Sequence, residues 1–186
     1  MKLDESIITQ CRSSAFNKGC QNVTVFLNNF YMNMNLYCNY HTDDEPDITD
    51  SNKLLKIITP KFQRDNNKWS DKMKLSFAEN IFKGYRSEIL LFKIGDSYNY
   101  QIIDGLQRIT CILNVLDNVV KPFNVDNIMS YELPRSPMID LKLYTFNTLV
   151  EACQFYIEIN ENITHSKEDI DKCKDYMNNL IEGEKQ

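Results

Sequence analysis

The segment from Tyr100 to Thr110 reads YQIIDGLQRIT, and its pattern changes in the middle. Up to Asp104 it is a short, largely apolar run of the length that a β-strand requires. Gly105 then permits a sharp turn in the backbone. Apolar residues next recur at helical spacing, at Ile109, Ile112, Leu113 and Leu116. The segment therefore predicts a strand, a glycine turn and a helix that packs on the core.

The start of this helix is suited to binding an anion. The first turn of an α-helix carries amide N–H groups without helical partners and a partial positive charge, which together favour phosphate. Arg108 adds a forked cation that matches phosphate oxygens. Gln107 is placed to donate to a substrate oxygen, and Asp104 to hold Mg²⁺, orient a water or fix Arg108. A purely structural Asp-Gly turn is the alternative on these residues alone.

Other local patterns predict the elements around this turn. Ser70 is a candidate N-cap of a helix that runs to Phe82, with Gly84 as its C-terminal glycine. A final helix is expected to begin at Ser166, with Asp169 completing a capping box. The expected strands span residues 54–58, 89–94, 98–104 and 139–144, the middle two forming a hairpin. Residues 147–156 predict a helix or the entry into a strand.

Length and composition fit one α+β domain with an N-terminal appendage. Residues 1–50 predict a helical N-terminal extension that ends in an acidic linker, and residues 51–186 predict the domain. Within the extension, apolar residues recur at helical spacing, at Val23, Phe26, Leu27, Phe30 and Met34.

The charge distribution is more informative than the net charge of -5, which argues against bulk attraction to nucleic acid. Ten Lys and Arg lie between Lys53 and Lys93, against four Asp and Glu. This basic middle fits a local phosphate site, although chance clustering on solvated helix faces is the alternative. The chain has no apolar run of about 20 residues and no paired cysteines. We expect a cytoplasmic protein with no membrane segment and no metal site in the protein itself.

The DGLQR turn resembles the Asp-Gly-Gln-Gln-Arg motif of the ParB/sulfiredoxin-like superfamily. It is most similar to the family found as the N-terminal domain of GmrSD-type restriction enzymes and of the SspE defence effector. The upstream segment ITPKFQR from Ile58 to Arg64, followed by Trp69, resembles the entry segment of that family. The downstream segment FYIEIN, which ends at Asn160, resembles its Phe-x-x-Ile-Asn segment. These motifs occur in the right order over residues 54–175.

The resemblance implies a small mixed sheet surrounded by helices and a site for nucleotide or DNA phosphate. It implies catalytic roles for Asp104, Gln107 and Arg108. It also implies phosphate binding, by Gln63, Arg64, Gly105, Arg108, Thr110 and Asn160. An enzyme of this kind would be a nucleoside triphosphatase or a DNA-nicking hydrolase that uses Mg²⁺ with a nucleoside triphosphate.

One position departs from the family motif: Leu106 stands where the motif has its first Gln. This change removes a polar group, which bears on catalysis more than on phosphate binding. A binding module without turnover is therefore a second hypothesis. A third is an interaction protein, such as a phage-borne inhibitor or decoy of a host defence complex, whose partner would be a protein of that complex.

Overall fold

The computed structural model describes residues 19–38, 48–64, 68–161 and 166–183. Within these residues there are four strands: β1 (Cys20–Phe26), β2 (Ser87–Ile94), β3 (Gln101–Asp104) and β4 (Met138–Phe146). The helices are α1 (Phe30–Cys38), α2 (Ser51–Ile58), α3 (Asp71–Phe82), α4 (Leu106–Leu116), α5 (Leu149–Asn160) and α6 (Lys167–Gly183).

The strands form one mixed sheet in the order β1-β4-β2-β3. The central pair, β2 and β4, is parallel, and both outer strands run antiparallel to their neighbours. β2 and β3 form the expected hairpin, which turns at Gly95. The predicted α+β class, with a small mixed sheet surrounded by helices, is confirmed.

The sheet separates two cores, because alternate residues of a strand point to opposite faces. On the first face, Ile89 and Leu91 of β2 pack with Ile109 and Leu113 of α4 and with residues of α1 and α2. On the second face, Phe92 packs with residues of α5 and α6. We call these the first and the second core; the turn between β3 and α4 lies where the chain passes from the sheet into the first core.

Two helix starts and one helix end are confirmed. The side chain of Ser70 accepts a hydrogen bond from the amide of Met73 at the start of α3. Gly84, just beyond the end of α3, has a φ of 99°. The hydroxyl of Ser166 accepts from the amide of Asp169, and the Asp169 carboxylate accepts from the amide of Ser166. Residues 149–160 form a helix, which settles the choice left open for that segment.

The expectation of a helix through Val23 and Phe26 is wrong, whereas Phe30 and Met34 do lie in α1. Residues 20–26 form β1, which pairs with β4 along its whole length. β-branched residues at 23–25 favour a strand, and pairing with β4 overrides the helical spacing. The segment before the acidic stretch thus supplies an edge strand. The position of the domain boundary stays a prediction, and residues 1–18 and the acidic 39–47 lie outside the described residues.

The strand expected at residues 54–58 is also wrong, because this segment belongs to α2. The carboxylate of Asp50 accepts a hydrogen bond of 2.7 Å from the amide of Lys53 and caps the helix. Leu54 and Ile58, four residues apart, are both fully buried in the first core. A short apolar run does not by itself distinguish a strand from a buried helix. The expected strand at 98–104 is shorter, since only 101–104 form β3.

Candidate functional site

The turn between β3 and α4 depends on Gly105. Its φ is 104°, in the left-handed region that side chains disfavour. A Cβ placed there would lie 3.2 Å from Cγ1 of Ile89 and 3.3 Å from its Cγ2. The glycine therefore lets the chain reverse while it lies against β2. As a result, the first turn of α4 lies directly beside the end of β3.

A cleft of about 440 Å³ lies at this turn. Seven of the eight predicted site residues line it: Gln63, Arg64, Asp104, Gly105, Gln107, Arg108 and Asn160. The exception is Thr110, whose hydroxyl donates to the carbonyl of Leu106 within α4, at 2.9 Å. Segments separated by about a hundred residues in the sequence thus meet at one cleft, although the contact of Thr110 with phosphate stays a prediction.

Arg108 is held at two points. Its Nη2 donates to Oδ2 of Asp104 at 2.5 Å, and its Nη1 donates to the backbone carbonyl of Glu88. Both side chains of the ion pair are 27% exposed, so the guanidinium is oriented and still reachable from solvent. Of the three roles considered for Asp104, this geometry favours the fixing of Arg108.

Gln63 stabilises the end of β3 that leads into the turn. Leu90 pairs with Asp104 and Leu91 with Ile102, so Ile103 is the extra residue of a β-bulge. The buried amide of Gln63 donates from Nε2 to the carbonyl of Ile103 at 3.1 Å and to that of Ile102 at 3.4 Å. Because bulges leave backbone groups without ladder partners, this amide stabilises the end of β3 from which Asp104 extends.

Two further cations, Arg64 and Lys68, line the cleft next to Asp169 of α6. Nη1 of Arg64 lies 3.9 Å from the Asp169 carboxylate, and Nζ of Lys68 lies 3.5 Å from it. Burial alone would raise the pKa of Asp169. Hydrogen bonds from the hydroxyl and amide of Ser166, with the charges of Lys68 and Arg64, outweigh that burial and leave the pKa lowered. Asp169 therefore stays ionised at neutral pH and holds both cations near the cleft.

The other two predicted amide side chains of the cleft, those of Gln107 and Asn160, also make contacts within the protein. Oε1 of Gln107 accepts from the backbone amide of Trp69 at 3.2 Å, which ties the loop before α3 to the start of α4. Nδ2 of Asn160 donates to the carbonyl of Tyr156 at 2.9 Å, at the end of α5. Both residues are buried and line the cleft. Their contacts fix the positions of two walls of the cleft.

Leu106, the departure from the family motif, is 5% exposed and belongs to the first core. It also forms part of the cleft lining. An apolar side chain at this position thus adds to the packing beneath the turn. The polar group that the family motif has here is absent from the cleft of this chain.

Cys111, one turn further along α4, is a core residue, as its position in the helix predicts. It is fully buried, and its Sγ donates to the carbonyl of Lys74 at 3.2 Å. Burial raises the pKa of the thiol to about 12. Because the thiolate is the nucleophilic form, this cysteine is unsuited to attack a substrate at neutral pH.

Sequence reasoning missed several lining residues, namely Lys68, Met73, Leu90, Leu106 and Ile159. Lys68 was detectable, because it stands beside Trp69 in the basic segment. Met73 and Leu90 carry no chemical signal, and only the packing of α3 and β2 brings them to the cleft. Among the described residues, the charged members of the lining are three cations, Arg64, Lys68 and Arg108, and one carboxylate, Asp104.

Two kinds of feature are absent from the parts of the chain that the structure describes. No helix there is long and apolar enough to cross a membrane. No three side chains of His, Cys, Asp and Glu there lie close enough together to hold a metal ion. All five described cysteines are free thiols.

The comparison with protein families gives one match. The family described as the N-terminal domain of the GmrSD restriction endonuclease matches residues 46–186. This range includes every residue of the cleft and every element from α2 to α6. No curated protein and no solved structure matches the chain. Because the family match spans most of the sequence, the chain belongs to the family of GmrSD restriction endonuclease N-terminal domains.

Proposed function

We propose that the cleft at the start of α4 binds the phosphate of a nucleotide or of DNA, in a restriction-related system of phage-host defence or counter-defence. The observation that carries this proposal is the meeting of three cations with the N-terminus of an eleven-residue helix at one cleft. The protein as a whole is acidic, with a net charge of -5. A local concentration of cations on such a chain favours an anionic ligand.

The contacts suggest a division of roles within the cleft. Arg108, oriented by Asp104 and partly exposed, is the forked donor for phosphate oxygens. Arg64 and Lys68 supply charge from the opposite segment of the chain, and the first turn of α4 supplies backbone amides. Gln63 is a positioning residue, because its amide is engaged by β3. The set of phosphate-binding residues predicted from the sequence is thereby reduced, in this proposal, to three cations and the backbone amides at the start of α4.

Mg²⁺ enters this proposal only together with the ligand. In proteins, Mg²⁺ is usually bound by one or two carboxylates plus substrate phosphates. The described part of the cleft lining contains a single carboxylate, that of Asp104, and it is paired with Arg108. The cleft residues alone therefore do not fit a magnesium site, and the proposed binding does not depend on one.

Titration of the purified chain tests the proposal. Isothermal titration calorimetry with each common nucleoside triphosphate and with short DNA, with and without Mg²⁺, measures binding. Arg108→Gln is expected to weaken phosphate binding by about tenfold or more, because a charge-assisted hydrogen bond contributes about 1.5–3 kcal/mol. Lys53→Gln removes an exposed cation of α2 outside the cleft and serves as the matched control. Equal affinities of Arg108→Gln, Lys53→Gln and the parent chain would contradict the proposal.

An assay of inorganic phosphate released from the same nucleotides separates binding from turnover. Release of inorganic phosphate that Asp104→Asn abolishes would show a nucleoside triphosphatase. Binding without phosphate release would leave a binding module. If neither nucleotide nor DNA binds, the phosphate proposal is wrong, and a protein that co-purifies on a surface away from Asp104 would identify an interaction protein.

A further inference from the structure

The cleft described above adjoins a second cleft, which in turn adjoins a third. A second cleft of about 480 Å³ shares Trp69 and Arg108 with it. A third cleft of about 530 Å³ shares Tyr85 and Arg86 with the second. Because each neighbouring pair has two lining residues in common, the three clefts lie side by side, and we call the row that they form the groove. The groove begins at the start of α4 and ends beside β1 and β4, at Phe26 and Met138.

The groove is lined by cations along its length. Arg86 lies at the junction of the second and third clefts, and Arg135 lines the third. Nη2 of Arg86 contacts Sδ of Met138 at 4.0 Å, and Nη1 of Arg135 donates to the carbonyl of Lys83 at 3.5 Å. Among the described residues, neither guanidinium pairs with a carboxylate. Both are therefore available to an anion.

Carboxylates do not cancel this charge. Glu88 lines the second cleft, but its Oε2 lies 2.8 Å from Nζ of Lys142. Asp104 lines the first cleft, where it is paired with Arg108. Asp169 is shared by Arg64 and Lys68. Even with these ion pairs counted, the described residues of the groove keep a surplus of cations, because Arg86 and Arg135 have no carboxylate partner there.

Exposed aromatic rings accompany the cations. Tyr85 is 58% exposed and stands between the second and third clefts, next to Arg86 in the sequence. Phe26, at the far end, is 44% exposed. Gly84 leaves the space that Arg135 occupies, because a Cβ there would overlap Nη1 of that arginine. An exposed ring between cations is the arrangement that binds unpaired bases and their phosphates.

We propose that the groove binds a single-stranded polynucleotide, with one phosphate at the start of α4, a base on Tyr85, and further backbone phosphates at Arg86 and Arg135. This inference rests on the proposed phosphate site and extends it into the second and third clefts. A single strand is required because the bases of a duplex are stacked on one another, and their faces are closed to a protein ring. An acidic peptide would use the cations but would have no base to place on Tyr85.

Fluorescence anisotropy with the full chain tests the groove. The labelled probes are a dinucleotide, a single-stranded oligothymidine of about 12 nucleotides, within the range bound by such grooves, and a duplex of the same length. A polyglutamate peptide of similar charge is the competitor. We expect the long single strand to bind about tenfold or more tightly than the dinucleotide and the duplex, because stacking adds to the charge contacts.

Substitutions in the second and third clefts distinguish binding along the groove from binding at the first cleft alone. Tyr85→Ala, and Arg86→Gln combined with Arg135→Gln, are expected to reduce affinity for the long strand about tenfold and to leave the dinucleotide unchanged. The matched control is Lys53→Gln with Lys56→Gln, two exposed cations of α2 that line none of the three clefts. The substituted groove residues lie at the surface, and circular dichroism checks that each variant is folded.

Each outcome decides either the groove or the first cleft. If the dinucleotide binds and needs Arg108, yet the long strand binds no tighter, the phosphate site stands and the groove is wrong. Equal affinity for duplex and single strand, or equally effective polyglutamate, would also overturn the groove. Failure of the dinucleotide to bind, with loss of long-strand affinity only in the Tyr85 and Arg86 variants, would support the groove and overturn the phosphate site.

Discussion

Replacement of Gly105 by Ala is the substitution whose effect follows most directly from the geometry of the turn. The residue has a φ of 104°, and a Cβ there would meet two carbons of the Ile89 side chain at 3.2 and 3.3 Å and the Ile89 Cα at 3.4 Å. Gly95 offers a matched control, since it also has a positive φ, of 52°, but a Cβ at that position would meet no atom within 4 Å. Comparison of the two variants subtracts the general cost of a positive φ and leaves the contact with Ile89 together with the larger φ of Gly105.

The expected loss has two parts. A left-handed backbone costs an L-residue about 1–2 kcal/mol at both positions, and somewhat more at Gly105, whose φ of 104° lies beyond the range that L-residues adopt. The close contact with Ile89, in a packed core, adds about 1–3 kcal/mol at Gly105 alone. Alanine also restricts the unfolded chain, which offsets about 0.4–1 kcal/mol at both positions. We therefore expect Gly105→Ala to lower the free energy of unfolding by about 2 kcal/mol more than Gly95→Ala does.

Urea denaturation followed by circular dichroism measures the difference, and the midpoint is read at constant slope. In a chain of this size the excess loss corresponds to a Tm lower by about 4–8 °C. Phosphate binding to the folded variant is expected to weaken too, because the turn sets the position of Arg108. If Gly105→Ala loses no more stability than Gly95→Ala, the close approach of this turn to β2 is wrong.

Three further substitutions test the surroundings of the cleft. Gln63→Leu is expected to destabilise the fold by about 2 kcal/mol, because it leaves buried carbonyls of the bulge without a donor; urea denaturation measures this. Asp169 has a pKa below its ordinary value of 3.8, so its stabilisation is present above that pH and is lost as the pH falls through the lowered pKa. Asp169→Asn should therefore be less stable than the parent chain at neutral pH, with a difference that shrinks in acid, as thermal melts along a pH series would show. Leu106→Gln, which restores the family motif, is expected to cost about 2 kcal/mol because an amide enters the first core; chemical denaturation measures the loss.

Each of these has a matched comparison. Gln101 donates from Nε2 to the carbonyl of Ile57 at 3.4 Å at a less buried position, so Gln101→Leu should cost less than Gln63→Leu. A stability difference between Asp169→Asn and the parent that stays constant in acid would contradict the ion-pair role of Asp169. Leu106→Met conserves volume and should cost less than about 1.5 kcal/mol; if Leu106→Gln is equally mild, the side chain does not pack in the core.

The arrangement of the cleft suggests why many of its polar residues serve structure first. Gln63 holds the bulge of β3, Gln107 holds the loop at Trp69, and Asp169 holds two cations. A phosphate site needs donors whose positions are set before the ligand arrives, because ordering them on binding reduces affinity. These contacts would leave Arg108 and the start of α4 preorganised for an anion.

Much of the turn was predictable because its causes are local. The glycine, the helical spacing after it and the capping residues Ser70 and Ser166 act over a few neighbouring positions, and their elements are confirmed. The predictions for residues 20–26 and 54–58 were wrong because their apolar patterns fit either a helix or a strand. Residues 20–26 are a strand only because β4 pairs with them, and residues 54–58 are helical through the cap of Asp50 and burial in the first core.

By itself, the sequence determined the strand-glycine-helix turn, the class of fold and the family, since these depend on short-range pattern and on ordered motifs. Tertiary structure alone decided which side chains share the cleft and what each one contacts. The sequence predicts Gln63 as a phosphate ligand, whereas its contact with the carbonyl of Ile103, forty residues away, appears only in the folded chain. The alignment of three clefts between Arg108 and Arg135 likewise depends on the packing of distant segments, which no local pattern encodes.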